Sequence, residues 1–361
     1  MLGFSVLIAL YTVFYLFVFS GWKLISKQKK RTKRAIKLDE ITLVIAFRNE
    51  YENLKSLLKT INNLSCIPKE IIFINDHSDD DWKVLFEKTI SHIRVFSLEE
   101  KEMGKKAALL LGIKKAQSDY ILCWDADVDV EPEYFEQIQK IPAADLVILP
   151  VHFRSKNMLQ CMGEIDFYLA NFVNQASSYW LRPVMCNGAN LLVNKASYLE
   201  LIALNEHEHI MSGDDMFLLR NMNRADKNIY LENSEHCLVR TNSPNNFKAY
   251  LSQRSRWMGK SFYIRDGLLV FWAGLQFILT LSFFLLFVYW VIHDVKLFLL
   301  FFSIKSVFDL CFLSPYFISI QKKKLLFFIP IYALIFPIYN LLILLSFFYP
   351  SQEWKGRKLY Y

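Results

Sequence analysis

Apolar residues follow three regimes along the chain. Long uninterrupted runs occupy both ends, and short β-branched runs alternate with amphipathic stretches between them. Residues 41–47 (ITLVIAF) read as a strand, and residues 50–61 follow with Leu54, Leu57, Leu58 and Ile61 on one helical face. A second strand at 71–74 is stopped by Asn75-Asp76-His77-Ser78, and a helix-like stretch covers 80–90. A short strand at 93–98, a helix at 105–116 and an apolar strand at 120–124 come next. Strand–helix alternation at this pace predicts an α/β domain with a mainly parallel sheet and helices on both faces. In such sheets ligands sit at the carboxyl ends of the strands. Beyond Pro150 the pattern predicts a long helix at 158–180, a turn at Cys186-Asn187-Gly188-Ala189-Asn190 entering a strand, Gly213-Asp214-Asp215 ahead of an apolar helix, and an amphipathic helix at 247–264.

The end runs are long enough to cross a bilayer. Residues 1–22 carry no charged side chain; with an uncharged start and a long, aromatic apolar run, where a cleaved leader has a basic start and a shorter run, an uncleaved anchor is expected. Lys23, Lys27, Lys29, Lys30, Arg31, Lys33, Arg34 and Lys37 follow it without an acid. By the positive-inside rule this collar stays cytoplasmic, which predicts an integral protein of the cell (inner) membrane with a cytosolic central domain. Beside a membrane span the same charges argue for lipid head groups and against nucleic acid. Apolar segments at 268–292, 297–320 and 325–349 predict two to three further transmembrane helices. Pro330 and Pro337 make the last the weakest candidate, and the basic tail Lys355, Arg357 and Lys358 conflicts with three crossings. Lys305 and Asp309, at i and i+4 inside the middle segment, call for either a function or mutual neutralisation. The expected organisation is an anchor at 1–22, a basic segment at 23–38, a catalytic domain at 39–244, an interfacial helix at 245–266, a transmembrane region at 267–350 and a basic tail at 351–361.

Composition adds little beyond this. Hydrophobic residues make up 53% of 361 and aromatics 16%, an excess concentrated at the ends, and the net charge of +7 mostly reflects the collar. The six scattered cysteines have no metal or redox spacing and are expected to be reduced and mostly buried. No glycine-rich dinucleotide loop or P-loop is present. The chemistry lies instead in acids at predicted strand ends: Glu50, Asp76, and Asp125 and Asp127 with Asp129 behind them. Three acids closing a buried strand need something to offset their repulsion, and a Mg²⁺ or Mn²⁺ bound with substrate phosphates would do so. Asp214 and Asp215 suit either helix capping or a general base. Gln253 and Arg256 share a helical face beside Trp257, which an interfacial helix would also explain.

In order, Asn75-Asp76-His77-Ser78, Asp125-Ala126-Asp127, Gly213-Asp214-Asp215 and Gln253-Arg254-Ser255-Arg256-Trp257 resemble the motif set of membrane-bound family 2 glycosyltransferases, over about residues 41–257. Trp354-Lys355-Gly356-Arg357 is similar to the end of many members. The resemblance implies a GT-A fold and a nucleotide-sugar donor, most often UDP-linked. It places Glu50, Asp76, Lys105 and Asp125 around the donor, with Asp127 on the metal. Asp215 (with Asp214 beside it) becomes the base of a single inverting displacement, and Gln253, Arg256 and Trp257 close over the pyrophosphate and acceptor. Asn75 and His77 depart from the usual Asp and Gly. The acceptor is expected to be a membrane lipid, with a growing polysaccharide as the alternative. A sugar nucleotidyltransferase is the reading from another class.

Overall fold

The computed structural model describes residues 2–27, 34–87, 92–202, 214–347, 353–354 and 357–358. Two compact units emerge. One comprises Lys29–Arg154, Met185–Asn242 and Ser351–Tyr361, and the other Met1–Gln28, Ser155–Val184 and Ser243–Pro350.

The first unit is built on a seven-stranded sheet. Its strands are β1 (Ile41–Phe47), β2 (Glu70–Asn75), β3 (Ile93–Ser97) and β4 (Tyr120–Asp125), with β5 (Asp129–Val130) and β7 (Val151–Arg154) in a smaller sheet, and β6 (Leu146–Ile148), β8 (Asn190–Asn194) and β9 (Ile229–Leu231) completing the larger one. The order is β3-β2-β1-β4-β8-β6-β9. The first four strands run parallel, as the alternation of strand and helix requires, but β8 runs antiparallel to both β4 and β6. β6 and β9 pair in parallel, so the sheet is mainly parallel as expected, with β8 the one strand running against the others. β-branched and aliphatic residues of β1, β2 and β4 are buried on both faces, with Val44, Ile72, Ile74, Ile121 and Cys123 packing against Ala108, Leu109 and Ile113 of the helix Lys105–Lys115. Gly112 of that helix approaches Val44 so closely that an added Cβ would lie 2.5 Å from the valine side chain, which is why the helix can seat there.

Register places the chemistry. Phe47 pairs with Asn75, Asn75 with Ser97, and Ala46 with Asp125, so the parallel strands end within about one residue of each other. The second sheet, β5-β10-β7 with β10 at Val239–Asn242, folds beside the exit of β4. Of the helix expected over 80–90, residues 88–90 lie outside the described residues, and the described part is a short 3₁₀ turn, Trp82–Phe86, where the two rings pack on Phe47 and Phe73. The Asp80 carboxylate accepts from Tyr51 N–H at 2.8 Å, so this acid serves the neighbouring helix.

The second unit is helical. Among the described residues it contains four helices long and apolar enough to cross a membrane: Gly3–Lys27, Gly267–His293, Val295–Ser319 and Lys323–Leu345. The N-terminal helix thus runs past residue 22, into the basic collar. The last candidate, suspect from its prolines, is helical throughout. Pro330 falls in the first turn of the helix Ile329–Phe347, where its missing N–H costs nothing, and Pro337 lies inside that helix. Met158–Trp180 and Phe247–Ile264 are helices as expected, each started by an asparagine whose side chain accepts a backbone N–H. Collar residues 28–33 lie outside the described residues, and the tail contributes only a two-residue hairpin pairing, Glu353–Trp354 with Arg357–Lys358. All six cysteines are free, but only Cys123 and Cys237 are buried and Cys311 is exposed, so the expectation of mostly buried thiols fails.

Candidate active site

The ends of β1 and β2 are tied together by their loops. Asn49 and His77 both take left-handed backbone (φ 52°), conformations that asparagine and histidine adopt more readily than most residues. Ser78 Oγ accepts from Asn49 N–H at 3.0 Å, Asn49 Oδ1 accepts from Asp79 N–H at 2.8 Å, and Arg48 donates to the carbonyls of Asp76 and His77 at 2.9 and 3.0 Å. Asp76 is buried, and its Oδ2 accepts from Gly104 N–H at 3.1 Å. Gly104 has φ 93°, a left-handed value that a side chain would strain, and this turns its N–H toward the acid just before the helix Lys105–Lys115 begins.

Lys105 therefore opens a helix, where a cation meets the positive end of the dipole. A local rule is broken there, and the reason is tertiary: Lys105 Nζ forms an ion pair with Asp125 Oδ1 at the end of β4. Similarly, Arg154 pairs with Asp129, whose other oxygen accepts from Thr60 at 3.0 Å. The repulsion expected among three acids is thus offset by protein cations at two of them. Asp127 differs: it makes no ion pair among the described residues, and its carboxylate accepts the Thr241 hydroxyl at 2.7 Å. Thr241 reaches it because β10 pairs with β5, placing Arg240 opposite Asp129. Burial first, then the charges of Asp125 and Glu50, push Asp127 up to about 6, while the Thr241 hydrogen bond pulls the other way. Glu50, at the start of the helix Tyr51–Asn62, is engaged by the Asn53 amide.

Asp215 stands in the first turn of the helix Asp214–Arg224. Its Oδ1 accepts from Met216 N–H at 2.8 Å, a local capping bond, and its Oδ2 accepts from Gly188 N–H at 3.0 Å. Cys186 Sγ also donates to the Asp215 carbonyl at 3.2 Å. The turn at 186–190 is therefore the seat of this acid. Around Gly188 the geometry closes: the point where a Cβ would stand lies 3.5 Å from both Asp215 Oδ2 and Lys105 Nζ. Asp215, Lys105 and Asp125 are consequently neighbours round one small space, and Asp76 joins through Gly104.

Six of the singled-out residues, Glu50, Asp76, Lys105, Asp125, Asp127 and Asp215, thus belong to one side of one sheet. The Asp214 side chain and Gly213 lie outside the described residues. Gln253, Arg256 and Trp257 belong to the helical unit, where Arg256 donates to Ser252 Oγ at 3.1 Å. The residue between them carries the packing. Arg254 is buried, pairs with Asp166 at 3.0 Å, donates to the Gly163 carbonyl at 2.7 Å and stacks on Trp257 at 4.4 Å. Arg254, Asp166, Thr241 and Arg154 escaped sequence reasoning, while the glycine of the 186–190 turn was the one signal pointing to Gly188.

A hard divalent cation fits this donor set. The candidate ligands are carboxylate oxygens, and among the described residues no group of three or more His, Cys, Asp or Glu side chains is poised to hold an ion. Mg²⁺ and Mn²⁺ commonly take one or two carboxylates and complete their shell with water and substrate phosphates, so Asp127, with no ion pair among the described residues, is a residue that could hold one.

The model of glycosyl transferase family group 2 matches residues 120–347, more than half of the chain, and that of glycosyl transferase family 2 matches residues 42–196. The chain is a family 2 glycosyltransferase. The transferase is 34% identical over 109 residues to the cholesterol galactosyltransferase of Borreliella burgdorferi, a match covering 29% of this chain and 30% of that relative. It is 32% identical over 146 residues to the poly-beta-1,6-N-acetyl-D-glucosamine synthase of Staphylococcus aureus (strain COL), covering 39% of this chain and 35% of that one. The matches span about a third of these relatives' length, so they tie the transferase to lipid and polysaccharide synthases without selecting between them. A mannosyltransferase from Pyrobaculum calidifontis, solved in complex with GDP-Man and Mn²⁺, superposes with a TM-score of 0.59 at 15% identity, over 94% of this chain and 99% of that one. That likeness establishes the GT-A architecture with apolar helices at both ends. Family membership also removes the nucleotidyltransferase reading.

Proposed function

We propose that the transferase moves a sugar from a nucleoside diphosphate donor, UDP-linked, to a hydroxyl of a membrane lipid, with inversion at the anomeric carbon and a requirement for Mg²⁺ or Mn²⁺. The observation that carries this reading is the shared space at Gly188, bordered by Lys105 and Asp215, with Asp125 paired to the same lysine. An inverting displacement needs a base on one side of the sugar and charge compensation for the diphosphate on the other.

Asp215 is the base. Its two backbone hydrogen bonds fix its orientation and leave lone pairs for the acceptor. The acceptor O–H proton passes to Asp215, the oxygen forms its bond to the anomeric carbon, and the sugar–phosphate bond breaks with its electron pair on the departing nucleoside diphosphate. Lys105 offers positive charge on the donor side, and Asp125 holds that lysine in place. A divalent cation on Asp127, when bound, would neutralise part of the diphosphate charge. Glu50 and Asp76 border the nucleoside, Asp214 assists the base, and Gln253, Arg256 and Trp257 are the residues that the family resemblance assigns to the pyrophosphate and acceptor. The basic collar keeps the catalytic domain on the cytosolic face of the cell membrane. The same reading retains the division into anchor, collar, catalytic domain, interfacial helix, transmembrane region and tail.

Purified full-length protein offered a panel of UDP-sugars and GDP-mannose, with lipid extract and Mn²⁺, tests the proposal. The expected result is release of UDP with one sugar added per lipid and an inverted linkage. Long polymer in the aqueous phase would select the polysaccharide alternative, and turnover undiminished by EDTA would remove the metal.

A further inference from the structure

Glycosyl transfer leaves the intramembrane pair Lys305 and Asp309 unused. They line a small open cavity inside the helical unit, about 60 Å³, whose wall is otherwise mostly aromatic and aliphatic. Lys305 is 6% exposed and Asp309 3%. Lys305 Nζ donates to Asp309 Oδ2 at 2.6 Å and to the Tyr11 hydroxyl at 3.3 Å, and Tyr11 in turn donates to Asp309 Oδ1 at 2.8 Å. An ammonium has three N–H bonds, so one is left without a hydrogen-bond acceptor among the described residues, with Nζ also over the Tyr11 and Phe283 rings at 4.8 and 5.2 Å. Gln276 and Thr280 add polar atoms to the same wall. Lys305 and Asp309 share one helix and reach the N-terminal helix through Tyr11, and space remains beside this network.

The chemistry of an occupant follows from three facts. The surrounding helices are membrane-length and apolar, so what diffuses to them is lipid. Gln276, Leu169, Val173 and Ala333 on the wall are only part-buried, so the cavity is not sealed. Lys305 and Asp309 cancel in charge, and both stand near the middle of the span Val295–Ser319, a depth where a phosphate would lose its hydration without a net countercharge. We propose that this cavity binds a neutral lipid whose single hydroxyl or carbonyl oxygen accepts a hydrogen bond from Lys305. The site stands apart from the transfer reaction and does not depend on which sugar or acceptor is used.

Full-length protein in detergent, photolabelled with a diazirine-bearing long-chain alcohol and mapped by mass spectrometry, tests this. Labelling should be saturable, concentrate on the cavity-lining stretches around Phe14–Val18 and Leu169–Val173, and be competed by unlabelled alcohol at least tenfold better than by its phosphate ester or the parent alkane. Ala333→Trp, which fills the space without touching the charges, should cut saturable labelling at least fivefold. The double variant Lys305→Met with Asp309→Leu should keep labelling but lose the preference for alcohol over alkane, so the proposal is tested even if one variant folds poorly. Non-saturable labelling equal to that of lipid-facing Ile278 and Ile292, equal competition by the phosphate ester, or labelling unchanged in Ala333→Trp would overturn it.

Discussion

Asp125 and Asp127 at the end of β4, and Glu164 and Asp166 on the helix Met158–Trp180, are two pairs of acids with the same spacing and opposite fates. In the helical unit each acid has its own cation. Glu164 is buried, pairs with Lys322 and accepts the Tyr168 hydroxyl at 3.0 Å; Asp166 pairs with Arg254 at 3.0 Å and accepts from Tyr332 at 3.4 Å. At the sheet edge one lysine serves Asp125, and Asp127 has a threonine hydroxyl and no cation. Matched acids hold helices together, since removing one member of a buried pair strands the other. An acid left short of charge is what the proposed function needs for a metal arriving with the donor. The difference lies not in the acids but in whether the fold brings them a partner.

The largest effect that would sharpen this contrast comes from Asp215→Asn. Loss of a general base typically removes about 10²–10⁴-fold of rate, so nucleoside diphosphate release with acceptor should fall by about 10³, while donor affinity measured calorimetrically stays within about twofold. Retained turnover would break the assignment of the base. Asp166→Asn should act on stability instead. It leaves the Arg254 guanidinium buried without its carboxylate, a loss on the order of 3 kcal/mol, seen as a lower thermal midpoint in detergent. An unchanged midpoint would show that this acid is no more matched than Asp127.

The first four strands of the sheet were legible because β-branched runs and helical stripes are local patterns, and the polar residues at each run's end mark the strand ends. What decided the site was not local. Lys105 lies twenty residues before the acid it pairs with, Arg154 twenty-five after Asp129, and Thr241 more than a hundred after Asp127. The sheet that delivers Thr241 has strands of two and four residues, too short to show a period. The expectation that three acids need an external ion was therefore too broad, since the chain supplies two cations itself. The turn at 186–190 was visible, but nothing in its residues says that it faces an acid from another helix.

A smaller effect separates Asp127 from the matched acids by pH. Its folded value of about 6 lies above the ordinary aspartate value of about 3.9. The folded, metal-free chain therefore holds its proton more tightly than the unfolded chain. That contribution to stability is full below about pH 4 and lost as pH rises through about 6. In EDTA, the chain should be less stable at pH 7.5 than at pH 5 by about 1.4 kcal/mol from this group, and Asp127→Asn should flatten that slope while abolishing metal-dependent nucleotide binding. A thermal midpoint in EDTA that drops in Asp127→Asn, as it should in Asp166→Asn, would make Asp127 a structural acid and erase the contrast.

The smallest change tests the space between the unlike groups. At Gly188 an added Cβ meets Asp215 Cβ at 3.4 Å and both Asp215 Oδ2 and Lys105 Nζ at 3.5 Å, ordinary contacts that need no backbone shift. Gly188→Ala should therefore leave the thermal midpoint nearly unchanged, within about 0.5 kcal/mol. The methyl would nonetheless stand between the acid and the ammonium, where the reacting sugar is expected to pass. Donor KM should rise several-fold in steady-state assays, and Gly188→Val should deepen the loss while nucleotide binding without the sugar changes less. Wild-type kinetics in Gly188→Ala would mean that the sugar does not enter this space, and that Lys105 and Asp215 are neighbours for structural reasons alone.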